Sequence, residues 1–259
     1  MANKKYKRPK KQTARTGEPL RAAGVLFEAD TDYGHIEVGE RFFRGHRARL
    51  LFVDGALESA MALERGERQT LLFPYLRRFD EAVRLRPEQM ASGDALLIGG
   101  GGFVYADHFL VTHPGSRMDA AEISPEIIDT ARRYFSLSAL ESGERAERFR
   151  LSASDGVSFL LGTEKTYDFI FNDAFCGRDF DTGLLGTYGI ILTRAHLKEE
   201  GLYVVNFVTA VNGPLSLPGR TLKKRLLRQF PHVLLLQADE TRSPLERQNC
   251  VLIAANREL

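Results

Sequence analysis

The feature that most restricts how this chain can fold is a run of four glycines, Gly99, Gly100, Gly101 and Gly102, placed directly after the apolar stretch 95–98. A second apolar stretch, 118–121, follows and ends at Glu122. A strand, a tight turn, a helix and a second strand closed by an acid accommodate this order. Glycine turns sharply and lets a ligand lie against the backbone without interference from a Cβ. Glu122 falls 23 positions after Gly99, near the ~20-residue offset at which a carboxylate meets ribose hydroxyls in a βαβ unit. The third glycine of the dinucleotide fingerprint would fall at Val104, so that fingerprint is incomplete. A nucleotide site is expected here, with NAD disfavoured.

The strands expected around this turn are 95–98, 118–121, 149–152, 167–172, 202–208, 233–237 and 251–254, with helices between them. The clearest helix runs over 125–135, with Ser124 as N-cap and Pro125 where its missing N–H does no harm. Apolar strands alternating with helices mean a doubly wound, mostly parallel seven-stranded sheet, a Rossmann-like α/β fold, because crossover helices cover both faces. Ahead of it, residues 24–60 hold short β segments around 25–27, 35–38 and 49–53, and the turn Asp54–Gly55. These point to a small antiparallel N-terminal β domain. Helical spacing of Leu71, Leu72, Tyr75, Leu76 and Phe79 predicts a helix from Met61 to about Arg86. The expected division is a basic leader over 1–20, the β domain over 21–60 and the nucleotide-binding domain over 61–259.

The leader carries seven basic side chains in the first 17 residues and no acid, so the net charge of +2 leaves the rest of the chain five charges negative. A solvated, disordered tail is the preferred reading, with a phosphate-binding arm for nucleic acid as the alternative. No apolar run approaches the ~18 residues of a membrane span and no secretory signal is visible, so a cytoplasmic protein is expected. Cys176 and Cys250 are too few and too far apart for a disulfide framework or structural zinc, and no metal site is expected.

In doubly wound sheets ligands bind beyond the carboxyl ends of the strands, which is where Gly99, Glu122, Asp155 and Asp173 fall. Glu122 is read as a ribose ligand, with a helix-dipole role as the alternative. Asp155, followed by Gly156, opens a helix and can serve as N-cap, as an acceptor for an adenine amino group, or as both. Asp173 ends the stretch 167–172 and brings a carboxylate to the crevice, with turn capping as its alternative. His108 and His113 fit a helix end as well as a ligand role.

The order of these motifs resembles the spermidine synthase family of aminopropyltransferases. The segments carrying the likeness are the glycine run, Ala121 to Ile128, Ser154 to Leu160 and Tyr167 to Phe175, preceded by Thr31 to Ile36 and Leu51 to Gly55. The resemblance spans residues 24 to about 255. It implies a methyltransferase-like core and S-adenosylmethionine or its decarboxylated form as co-substrate. The nucleotide would be held by Gly99, Gly100, Gly101, Glu122, Ile123, Asp155 and Gly156, with Asp173 catalytic beside the sulfonium. It also implies a small-molecule amine acceptor such as a polyamine, and a homodimer formed through the N-terminal sheet. Methyl transfer to another acceptor, and non-catalytic nucleotide or nucleic-acid binding, stand as alternatives. The chain departs from the family at Gly102, where an acid normally follows three glycines, and at Cys176, where a second acid is usual. Gly34 and Glu58 stand where glutamines are expected, and Phe73 to Tyr75 replaces a Tyr-acid pair. Glu58, Asp179 and Asp181 are the acids left that could line an acceptor groove.

Overall fold

A computed structural model describes residues 24–174 and 183–259. Four strands come first: β1 (Val25–Thr31), β2 (Gly34–Phe43), β3 (His46–Val53) and β4 (Ala56–Ala62), forming an antiparallel sheet in sequence order. The tight turns follow from their residues. Asp54 and Gly55 both take positive φ, 50° and 77°, the backbone that a two-residue hairpin needs to match strand twist. Arg44 and Gly45 repeat this between β2 and β3 with φ of 50° and 86°.

Strand β4 carries the sheet to Ala62, and it replaces the start of the helix expected from Met61. The helix, α1 (Pro74–Arg84), begins only at Pro74. Proline pushes the residue before it out of the helical region, and Phe73 is extended at φ −86° and ψ 128°. Residues 63–72 form a connector that turns at Gly66, φ +89°, and makes a single antiparallel bridge from Leu71 to Met61.

After α1 the order is α2 (Pro87–Ser92), β5 (Asp94–Ile98), α3 (Val104–Thr112), β6 (Arg117–Glu122), α4 (Pro125–Tyr134), α5 (Leu137–Leu140) and β7 (Phe149–Ala153). Then come α6 (Gly156–Leu161), β8 (Tyr167–Asn172), α7 (Thr187–Ala195), β9 (Leu197–Thr209), α8 (Leu217–Leu226), β10 (His232–Gln237) and β11 (Gln248–Ala255). Strands β5 to β11 form one sheet in the order β10-β11-β9-β8-β5-β6-β7. Neighbours from β9 to β7 are parallel, while β11 runs antiparallel to both β9 and β10.

Both faces of this sheet are buried, as alternation along the strands shows. Ala95, Leu97, Phe169, Phe171, Leu202 and Val204 pack with Phe79 of α1, Phe109 of α3 and Ile128 of α4. Leu96, Ile98, Ile170, Tyr203 and Val205 pack on the other side with Leu160 of α6, Ile190 of α7 and Leu222 of α8. Ser124 caps α4, its hydroxyl accepting from the Ile127 N–H at 3.1 Å. The front sheet is joined to this body by a third apolar cluster, in which Ile36, Leu51 and Met61 meet Val104, Ile127 and Phe135. Among the described residues no helix is long and apolar enough to cross a membrane. The basic leader, residues 1–20, lies outside the described residues.

Candidate active site

The glycine run is shaped by what surrounds it. Gly99 has φ +86°, and a Cβ there would lie 2.7 Å from the Ala174 backbone, so β5 and β8 close together only over a glycine. Backbone bonds fasten the strand ends: Gly99 N–H donates to the Ala121 carbonyl at 2.9 Å and Asp173 N–H to that of Ile98 at 2.8 Å. Gly101, φ +49°, passes against Ser59 of β4, whose hydroxyl would be 2.7 Å from an added Cβ. The fully buried Phe103 lies under Gly100 and itself holds a left-handed φ of 55° at the start of α3.

Glu122, 8% exposed, ends β6. One carboxylate oxygen accepts from Gly100 N–H at 2.8 Å and the other from Ser124 N–H at 3.0 Å. The acid thereby ties the glycine turn to the start of α4, and each oxygen keeps a lone pair for a further donor. Ile123 beside it is 47% exposed. Ser154 N–H donates to the Glu122 carbonyl at 3.0 Å, which brings the end of β7 alongside. Asp155 is exposed and caps α6, one oxygen accepting from Val157 N–H at 3.0 Å and Ser158 N–H at 3.1 Å. Its second oxygen has no partner among the described residues. Gly156 is buried, with Ile98 Cγ2 2.5 Å and Leu184 Cδ1 2.8 Å from where a Cβ would sit. Its lack of a side chain serves helix-to-sheet packing here.

Asp173 lies one residue beyond β8. Its oxygens accept from Tyr75 Oη–H at 3.0 Å and from Asn206 Nδ2–H at 2.9 Å, and Asn249 Nδ2–H in turn donates to the Asn206 carbonyl oxygen at 3.1 Å. Burial pushes the Asp173 carboxyl up to about 7, against the lowering pull of Asn206 and Tyr75, and Glu58 adds to the rise. Burial likewise carries the Tyr75 hydroxyl well above its usual range, with Asp173 and Glu58 adding to it. Glu58 is also pushed up to about 7, by burial and then by Glu122. Among the described residues no Lys or Arg pairs with Glu58, Glu122 or Asp173. A small cleft lined by Ser59, Phe73, Tyr75, Gly100, Val104 and Asp173 opens at this point. A roomier groove between β1 and α4, lined by Phe27, Ala29, Ile36 and Tyr134, touches neither the glycine turn nor Asp173.

Thus the structure gathers Gly99, Gly100, Gly101, Glu122, Ile123 and Asp155 at one rim with Asp173. The hydrogen-bonding roles of Tyr75, Asn206 and Asn249 were not read from the sequence. Tyr75 counted as a member of an apolar helix face and as part of the segment that replaces the family's Tyr-acid pair, and the signal for Asn206 was a lone amide within the apolar run of β9. Departures from the expected family pattern also have physical counterparts. A Cβ on Gly102 would lie 2.9 Å from the Phe135 ring and 3.1 Å from Ser59 Cβ, while Gly102 N–H donates to Ser59 Oγ at 2.8 Å. Phe135 and Ser59 occupy the volume an acid would take. Replacing Gly102 with Asp is expected to lower stability by about 1–3 kcal/mol, the usual range for overpacking, read as a reduced denaturation midpoint. At Gly34, φ +131°, the Asp54 carboxylate is 2.8 Å from an added Cβ, which leaves no place for a glutamine. Cys176, Asp179 and Asp181 fall outside the described residues. His46, Glu64 and Glu67 approach one another between β3 and the connector, and His46 Nδ1 and Glu67 are already paired at 2.7 Å.

Residues 88–205, which include the glycine turn, Glu122, Asp155 and Asp173, match the family model of the spermine/spermidine synthase domain. A polyamine aminopropyltransferase of Agathobacter rectalis is 24% identical over 221 residues, covering 85% of this chain and 72% of that protein. In three dimensions the chain is similar to a probable spermidine synthase from Corynebacterium glutamicum, with TM-score 0.73 and 21% identity over 92% of this chain and 81% of that one. The spermidine synthase from Thermotoga maritima gives TM-score 0.67 at 18% identity, over 92% and 75% respectively.

Proposed function

We propose that this spermidine synthase-like chain transfers the aminopropyl group of decarboxylated S-adenosylmethionine to a small amine such as a polyamine, with Asp173 at the reacting centre. The observation that carries the reading is Asp173 itself: a partly buried carboxylate just beyond β8, pushed up to about 7 and oriented by Tyr75 and Asn206 beside the glycine turn. A base with a pKa near the working pH combines a useful ionised fraction with proton affinity.

The residues present fit such a donor. Glu122 keeps acceptor capacity for ribose hydroxyls, Ile123 offers an exposed apolar side chain for the base, and the free oxygen of Asp155 suits an exocyclic amino group. The donor's sulfonium supplies the leaving group. The amine nitrogen forms a bond to the methylene carbon beside sulfur, and the carbon–sulfur bond breaks with its electron pair remaining on sulfur as a neutral thioether. Asp173 takes the proton the amine must shed. Tyr75 and Asn206 hold that carboxylate still, so the nitrogen meets it in one orientation and ordering is not repeated in each turnover. A cationic acceptor also answers the uncompensated charge of Asp173 and Glu58, which otherwise remain partly buried without a counterion.

Incubation with decarboxylated S-adenosylmethionine and putrescine should release 5′-methylthioadenosine, measured by chromatography. No release, together with tighter binding of the carboxylated nucleotide, would overturn the reading. The acceptor enters as a cation and must meet an ionised base. Therefore kcat/KM should rise with pH through about 7 and fall as the amine loses its charge near ~10.4. The lower limb belongs to Asp173 and Glu58 jointly, because the two interact. A profile flat between pH 6 and 8 would remove Asp173 as the base.

A further inference from the structure

Strands β9 and β11 run antiparallel in a register that sets Asn206 opposite Val251. Asn249, two residues before Val251, therefore shares its face and is the diagonal neighbour of Asn206. That face is the one α1 covers, since Val204, Val251 and Ile253 pack there with Tyr75 and Phe79. Apolar side chains fill it up to the rim, where two amides take their place. Asn249 Nδ2–H donates to Asn206 Oδ1 at 3.1 Å, and Asn206 Nδ2–H donates to Asp173 Oδ1 at 2.9 Å. Tyr75 Oη–H holds the other carboxyl oxygen at 3.0 Å.

An asparagine amide can meet a carboxyl group in two ways. Its nitrogen serves an ionised carboxylate, and its oxygen, after a half-turn of the amide, serves a protonated acid. An unrestrained amide follows the proton and stabilises whichever form is present. Here the half-turn would set the Asn206 nitrogen against the Asn249 nitrogen, two donors with no acceptor between them. Resting on the reading of Asp173 as the base, we propose that Asn249 is a positioning residue that locks the Asn206 amide with its nitrogen toward Asp173, so that only the ionised carboxylate is stabilised from this side. The lock works against burial, which with Glu58 of β4 drives Asp173 toward its neutral form, and alongside Tyr75 of α1, which favours the charge. A residue of the antiparallel strand β11 thereby reaches the reacting centre through one intermediary.

Carbon-13 NMR of the carboxyl groups reads the Asp173 midpoint directly, its signal identified by its loss in Asp173→Asn. The midpoint near about 7 in the wild type should rise by about 0.5–1 pH unit in Asn249→Leu, which keeps the volume and removes the donor. Asn249→Ala should do the same, and the lower limb of kcat/KM should move with it. In Asn206→Leu the rise should be about 1–2 pH units, because the hydrogen bond to the charge itself is lost. Adding Asn249→Leu to that variant should then move the midpoint by less than about 0.3 pH unit, the mark of a residue that acts through another. A midpoint unmoved in Asn249→Leu, even with a lower melting temperature, would make Asn249 merely structural and overturn the proposal. So would an equal rise with and without the Asn206 amide. If the wild type releases no methylthioadenosine while the carboxyl titration moves as stated, the transfer reading falls and the hold of Asn249 on Asp173 stands.

Discussion

Replacing Asp173 with Asn should lower kcat by about 10²–10⁴, the usual contribution of a positioned general base, while nucleotide affinity changes by less than about threefold. The change is nearly isosteric, so Tyr75 and Asn206 keep a partner of the same shape. The amide still accepts through its oxygen, but its nitrogen faces one of two groups that now donate to the carboxylate. A modest loss of stability is therefore expected alongside the catalytic defect, and the two are told apart by single-turnover rates on folded protein at saturating donor. Removing one carboxylate also relieves Glu58, whose charge contributes to the raised Asp173 pKa. Turnover within threefold of the wild type would show that solvent takes the proton and that Asp173 only shapes the cleft.

The second large effect concerns Glu122. Alanine at this position should weaken nucleotide binding at least tenfold, corresponding to about 1.5–3 kcal/mol for hydrogen bonds to a charged acceptor. The structure adds a consequence that a simple ligand role would lack. Gly100 and Ser124 both donate backbone N–H groups to this carboxylate, and alanine leaves each without that acceptor. Each unsatisfied buried donor costs about 1–3 kcal/mol, so stability should fall along with affinity. Glu122→Gln keeps one acceptor oxygen and should lie between the two. Calorimetry with methylthioadenosine, paired with chemical denaturation, measures both losses. Unchanged affinity would assign Glu122 to holding the turn alone.

Much of this site can be read from the chain because local chemistry and topology agree. A glycine run between an apolar strand and a helix has few alternatives, and parallel strands deliver Glu122 and Asp173 to the same rim. Asp54 with Gly55 announced its hairpin for a similar reason, since both residues tolerate positive φ. Strand β4 was hidden because Ala56 to Ala62 contains no β-branched or aromatic residue. Its composition favours helix, and only pairing with β3 makes it a strand. The same holds more sharply for Asn249, because its approach to Asn206 is a property of two strands in register and no single segment encodes it. Tyr75 satisfies the spacing of a core helix face while its hydroxyl reaches Asp173, 98 residues away, so periodicity reported half of its role. Asp155 and Gly156 show the opposite case: motif and local structure make the same demand, since capping α6 and packing it on Ile98 already require these residue types.

The hydroxyl of Ser59, bonded to the backbone of Gly102, fastens the front sheet to the glycine turn. Together with Met61 packed beside Val104 and Phe135, it makes the two sheets a single mechanical unit at this seam. The small sheet is therefore no detachable module. A shift in its twist or hairpin register would be transmitted to the glycine turn and to the cleft beside it.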